Sequence, residues 1–248
     1  MIPLFKSNFS IGKSILTLSD DLDNQDEQSS DSILQIAKEN NLKQVILVED
    51  TMIGFLEAFK KFSKLNIHLI FGLRINCCND VADENKDQSS HKIIIFAKND
   101  NGCKLLNKIF STAHCEHEGY VDLKLIASFW SETDLKMAIP FYDSYIYNNA
   151  FSFNNCLPNF TFTNPEYFVE ENGLPFDSLI KEMILKINAN PTLAKTILYK
   201  RKEDVFAFQA YKCLTNRSFG KERSLSNPNL NHFGSDEFCW ESFLQVNS

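Results

Sequence analysis

The sequence predicts an α/β fold in which roughly six or seven strand-and-helix units close into a barrel, on two observations. Short apolar, β-branched runs alternate with segments whose apolar residues return at helical spacing, the pattern of βα units and a largely parallel sheet. A chain of 248 residues with 44% hydrophobic content can also enclose a core without a disulfide or metal to staple it.

The elements follow in order. Residues 45–48 (VILV) are a buried strand, and Ile53, Leu56, Phe59 and Phe62 recur at helical spacing after it. Residues 67–71 and 93–96 are two further strands, and Leu105, Leu106 and Ile109 mark the next helix. Residues 137–139 form a short strand, 179–187 a helix, 196–199 a strand and 203–214 the last helix. Two polar stretches, residues 20–31 (DDLDNQDEQSSD) and 79–90, are expected as solvated loops. A barrel domain therefore spans residues 1–215. Residues 216–248 read as a linker or tail, whose Phe238, Trp240 and Phe243 need a partner surface on this domain or on a following one.

Composition narrows the function classes. A net charge of −7 and a pI near 5.3 disfavour a surface that wraps duplex DNA by itself, because neutralising phosphates takes clustered Lys and Arg. Seven cysteines (77, 78, 103, 115, 156, 213 and 239) form no Cys-x-x-Cys pair and are odd in number, which fits a reducing cytoplasm. The start, Met-Ile-Pro-Leu-Phe-Lys, turns polar too soon for a secretory signal, and no apolar run approaches the ~20 residues of a membrane span.

Three stretches suggest chemistry. Gly12-Lys13-Ser14 resembles the end of a phosphate-binding loop, with the strand ending at Glu49 and Asp50 as its Mg²⁺-binding companion. Such a loop also needs an initial glycine, and Ser7 stands there. His114-Cys115-Glu116-His117-Glu118 holds ligand-type side chains for zinc, with His114 and His117 on one helical face, but no second cluster completes four ligands. The 22 Phe, 7 Tyr and 2 Trp could stack on nucleic-acid bases, yet they fall mostly within helix or strand periods and lack interleaved Arg and Lys, so core packing accounts for them. The five histidines (68, 91, 114, 117 and 232) single out no Ser-His-Asp set, and His68 sits in an apolar strand pattern as a structural residue.

Several segments, in order, resemble the PHP domain (polymerase and histidinol phosphatase domain) of bacterial-type replicative DNA polymerase III α subunits. SILQIAKENNLKQVILVED, residues 32–50, looks like the helix and strand that lead to that family's Thr-Asp-His turn, and GFLEAFKKFSKLNIHLIFGLRI, residues 54–75, like the next helix and the strand ending in Gly-x-Glu. HKIIIFAKNDNGCKLLNKIFS, residues 91–111, resembles a strand and helix that also begin with His. Residues 167–204 resemble the segment through the final metal motif, and Ser235-Asp236-Glu237-Phe238 the phrase that closes the domain before the palm.

The resemblance implies a distorted TIM-like (β/α)7 barrel of the PHP type whose active members hold two or three metals for phosphoester hydrolysis. At the family's ligand positions stand Leu4 and Lys6 (first His-x-His), Glu49 and Asp50 (Asp-His turn), Arg74 (Gly-x-Glu carboxylate), His91, and Thr196 and Leu198 (last Asp-x-His). Only His91 keeps its type, and the fixed charge of Arg74 repels a cation. Zn, Mn or Mg could be held only by Glu49, Asp50 and His91. Lys6 and Arg74 are expected instead to pair with Glu49 or Asp50.

The resemblance thus implies a degenerate metal site in a non-catalytic module of a polymerase, in a bacterial cell or phage-infected host. Its expected partners are the palm and thumb and a proofreading exonuclease, and it would meet DNA only through the holoenzyme. The chain would then be one piece of a longer or split polymerase, with nucleotidyl transfer in downstream domains. The rival is a stand-alone metal-dependent phosphoesterase or 3′–5′ exonuclease with a site rebuilt from Glu49, Asp50, His91 and the His114/His117 cluster.

Overall fold

A computed structural model describes residues 1–19, 30–152, 156–187, 191–215 and 235–247. The expected loop at 20–31 and tail from 216 lie largely outside these, as does His232. The strands are β1 (Ile2–Phe5), β2 (Gln44–Glu49), β3 (His68–Cys78), β4 (His91–Ala97), β5 (Tyr120–Asp122), β6 (Leu135–Ile139), β7 (Glu166–Val169) and β8 (Pro191–Ile197). The helices are α1 (Ile33–Glu39), α2 (Phe55–Lys64), α3 (Asp100–Glu116), α4 (Leu123–Phe129), α5 (Tyr145–Ser152), α6 (Asp177–Lys186), α7 (Val205–Thr215) and α8 (Trp240–Asn247).

Hydrogen-bonded neighbours run β2-β1-β8-β7-β6-β4-β3, and β2 pairs in addition with β3, so seven strands form a closed ring with β5 attached to β3. This is the α/β barrel expected of the sequence. The sheet is largely parallel, as expected, except at β4, which runs antiparallel to both β3 and β6. A parallel return needs a long crossover, usually a helix, whereas the polar stretch between β3 and β4 supplies only a 3₁₀ turn at Lys86–Ser89.

The chain divides into two compact units, one of Met1–Leu69, Glu171–Asp177 and Ala194–Ser248, the other of Ile70–Glu170 and Ser178–Leu193. In the first unit, β1 lies parallel between β2 and β8, with Leu4 opposite Ile46 and Thr196. Its core holds Phe5, Leu16, Ile33, Leu47, Phe62 and Tyr199, all fully buried. A side chain fixes where α1 begins. Ser32 caps α1 by accepting the Leu34 N–H at 3.2 Å, which satisfies one of the orphan donors of a first turn.

In the second unit, Leu73, Ile93, Ile95, Leu106, Met137 and Phe168 are buried. Asn99 caps α3 through the Gly102 N–H at 2.9 Å, and Asp122 caps α4 through that of Leu125 at 2.7 Å. Gly72 is required where the β3 and β4 ladders meet, because a Cβ there would lie 2.5 Å from the Phe96 ring.

Four expectations are corrected by the structure. Strand β3 extends seven residues past the run at 67–71, since Leu73, Ile75 and Cys77 are buried while Arg74 and Asn76 between them are half-buried, an alternation rather than a continuous apolar run. Strand β8 starts five residues before residue 196 and ends at Ile197. Helix α7 is not the last, because α8 follows it. Helix α2 forms as its spacing implies, but it buries Ala58 and Phe62 and leaves Ile53, Leu56 and Phe59 exposed.

The aromatic end of the tail packs into the first unit. Leu198 N donates to Phe238 O at 2.9 Å and Trp240 N to Tyr199 O at 3.1 Å, continuing a parallel bridge between Tyr199 and Cys239. Glu237 receives Lys202 at 2.6 Å and the buried Lys195 at 3.5 Å, and Ser235 Oγ donates to Asn172 O at 2.5 Å.

Candidate functional site

Because β1 and β2 are parallel neighbours in register, the residues that follow each strand emerge at the same end. Lys6 to Ser10 thereby meet Glu49 and Asp50. The Lys6 ammonium lies 2.9 Å from Asp50 Oδ2, with side chains only 8% and 19% exposed. Both Glu49 oxygens are engaged: Ser7 N–H donates to Oε1 at 2.9 Å, and the Ser10 hydroxyl donates to Oε2. The same Ser10 oxygen accepts the Asp50 N–H at 2.8 Å, tying the two carboxylate residues to one loop.

Glu49 is fully buried, and desolvation raises its pKa above the ordinary 4.5, opposed by the nearby Lys6 charge and the donors of Ser10 and Ser7. The folded state therefore holds this proton to higher pH than the unfolded chain does. The stability linked to it is fully present below pH 4.5 and is lost as pH rises through the raised value. Glu49→Gln is expected to remove that part of the decline, seen as a shallower fall of the urea midpoint above pH 4.5.

The other family positions of this unit surround β1 and β8. Leu4 is buried within β1, its strand partner Thr196 is half-buried in β8, and Leu198 is buried just past β8. None of the three offers a carboxylate or imidazole. Gly12-Lys13-Ser14 forms a turn with Gly12 at φ +72°, and Ser14 Oγ donates to Leu198 O at 2.8 Å. No helix opens at this tripeptide, so its backbone amides are not gathered at a helix N-terminus as a phosphate loop requires.

In the second unit, Arg74 of β3 bonds Asp143 Oδ2 at 2.6 Å, and Asp143 sits in the left-handed region at φ +59°. His91, the first residue of β4, is 3% exposed. Its Nδ1 lies 3.4 Å from Ser89 O and 3.5 Å from Cys156 Sγ, and Tyr145 meets the ring edge-on at 5.9 Å. Its Nε2 is buried and makes no hydrogen bond among the described residues. Burial lowers the His91 pKa to about 4 and raises that of the Cys156 thiol. The two are therefore a neutral imidazole beside a neutral thiol, without the thiolate a nucleophile needs.

Among the described residues, the acidic, histidine-rich end of α3 is not gathered into a cluster of metal-ligand side chains. His114 packs against Phe110 with centroids 4.3 Å apart, Cys115 is exposed, and His117 is the C-cap. Among the described residues, no group of three or more His, Cys, Asp or Glu side chains is arranged to hold a metal. His68 is exposed at the start of β3, outside any core.

Three contributors escaped sequence reasoning: Ser10, Asp143 and Cys156. Each is a common residue in a loop or at a helix flank, and only the fold brings it to its partner.

A PHP domain is found at residues 25–142 by similarity to the family model of that description. That stretch includes Glu49, Asp50, Arg74 and His91, whereas Leu4, Lys6, Thr196 and Leu198 lie outside it. No curated protein matches the chain. No helix among the described residues is long and apolar enough to cross a membrane.

Proposed function

We propose that this chain is a non-catalytic PHP module of a DNA polymerase III α-like replicative polymerase, with a structural role in DNA replication and a proofreading exonuclease as its docking partner. The observation that carries the loss of catalysis is the closed cluster at Lys6, Ser7, Ser10, Glu49 and Asp50. Lys6 supplies beside Asp50 the positive charge that a cation would bring, and two serines occupy both oxygens of Glu49. Leu4, Arg74, Thr196 and Leu198 at the other family positions support the same reading, because none is a metal ligand in this setting. The polymerase context rests on the ordered resemblance through Ser235-Asp236-Glu237-Phe238.

The test is elemental analysis of the purified chain, together with turnover of bis-p-nitrophenyl phosphate and of 3′-labelled single-stranded DNA in added Mn²⁺ or Zn²⁺. The expected result is no stoichiometric metal and no turnover above buffer. A tightly held two-metal or three-metal centre would overturn the reading. The coding sequence beyond Ser248 tests the polymerase context, which requires a palm domain with paired catalytic aspartates.

One observation favours the rival metal-dependent phosphoesterase: His91 keeps an unbonded Nε2 in a buried setting, an imidazole nitrogen available to a cation. That reading requires metal-stimulated turnover lost in His91→Ala.

A further inference from the structure

We propose that the outward face of α2 is a docking surface for a partner protein, and that the segment it receives is acidic with apolar anchors. The inference rests on the reading of this chain as a binding module and assigns that binding to a surface. Leu56 and Phe59 share one side of the helix and Ile53 precedes it, with 57%, 50% and 72% of their areas exposed. Ordinary surfaces carry such residues singly, whereas a contiguous apolar stripe marks a contact.

The stripe is preformed. Ala58 and Phe62 anchor the adjoining face of the helix in the core, Lys61 Nζ bonds Leu18 O at 2.6 Å, and a Cβ at Gly54 would lie 2.5 Å from the Phe9 ring, so the helix start is held tightly. Phe55 stacks on Phe59 at 6.2 Å, which limits the conformations that Phe59 would lose on binding.

Charge identifies the occupant. Lys60 and Lys64 flank the stripe at a spacing of four, are exposed, and form no ion pair among the described residues, while Lys61 is neutralised by Glu57 at 2.8 Å. Like charges four apart on a helix oppose each other, and a partner carboxylate between them relieves that repulsion. Two uncompensated lysines beside exposed Leu and Phe, in a chain of net charge −7, form a local site for an acidic segment. An anionic membrane is the weaker match, because the chain as a whole is repelled by it and only a few apolar side chains are available for insertion.

The experiment selects random 16-residue peptides displayed on phage against the whole chain, then measures the selected peptides by fluorescence anisotropy. Expected are peptides with two or three apolar anchors and net negative charge, whose binding falls by at least about tenfold in Lys60→Glu/Lys64→Glu and in Leu56→Ser/Phe59→Ser. The charge-reversed variant should also gain affinity for lysine-substituted versions of the same peptides. All four positions are exposed, and unchanged circular dichroism and melting would show that the variants fold.

Peptides without charge bias, or equal binding to the variants, would overturn the proposal. So would co-sedimentation with phosphatidylcholine–phosphatidylserine vesicles that depends on these residues, or self-association that the variants abolish. Binding that appears only after Asp21, Asp23, Asp26 and Glu27 are changed to their amides would assign the surface to the chain's own acidic stretch and overturn the partner. None of these outcomes depends on the hydrolysis assays, so the surface and the loss of catalysis stand or fall separately.

Discussion

Trp240→Ala is expected to destabilise the protein by about 3–5 kcal/mol, the range for removing a large buried aromatic side chain. Trp240 is 3% exposed, and its ring stacks on Phe5 at 5.4 Å and on Phe243 at 4.8 Å. Alanine keeps the backbone bond to Tyr199, so the loss isolates ring packing and the cavity left against the fully buried Phe5. Urea unfolding measures it, with Leu157→Ala as the comparison. Leu157 is 83% exposed, and its truncation should cost less than about 0.5 kcal/mol. A cost under about 1 kcal/mol for Trp240→Ala would mean that α8 is not part of this core.

Acidification should act strongly through His91. Its pKa falls from 6.5 to about 4 because burial penalises the imidazolium, with the Ser89 carbonyl opposing. As pH drops below 6.5 the unfolded chain takes up the proton while the folded chain refuses it, so stability present above pH 6.5 is lost progressively down to about pH 4. The interval corresponds to about 3 kcal/mol at full extent. His91→Phe keeps a ring of similar size without the charge and should flatten the stability profile across that window. The imidazole proton resonance of His91 should titrate near pH 4, and a midpoint near 6.5 would contradict the burial described for it.

Much of the barrel was legible because its signals are local. Residues 45–48 and 93–96 are unbroken apolar runs inside β2 and β4, and the spacing of Leu105, Leu106 and Ile109 marks α3. The direction of β4 was not legible, since periodicity carries no strand polarity and only the lack of a helix at 79–90 hinted at a return. Strands β5 and β7, of three and four residues, are too short to show a period. The α2 stripe misled for a physical reason: apolar residues at helical spacing mark one face, but not which way that face looks.

The candidate site divides in the same way. Glu49 and Asp50 stand out as carboxylates ending an apolar strand, and Lys6 was expected to meet one of them, as it does with Asp50. The serine donors on Glu49 could not be read, because they depend on a loop geometry that any Ser-containing stretch could adopt. The partnership of Arg74 with Asp143 spans sixty-nine positions and leaves no trace in either local sequence.

The position of β1 between β2 and β8 bears on how the chain is made. One partner, reached at Ile46, leaves the ribosome early, whereas the other is not available until Ala194 and the residues after it are synthesised. At about 5–20 residues per second, that delay is on the order of 7–30 s. Through this interval one edge of an apolar strand waits without its neighbour, open to pairing with another nascent chain. Ribosome-associated chaperones that shield such edges should therefore matter more to the yield of this protein than its finished stability would suggest.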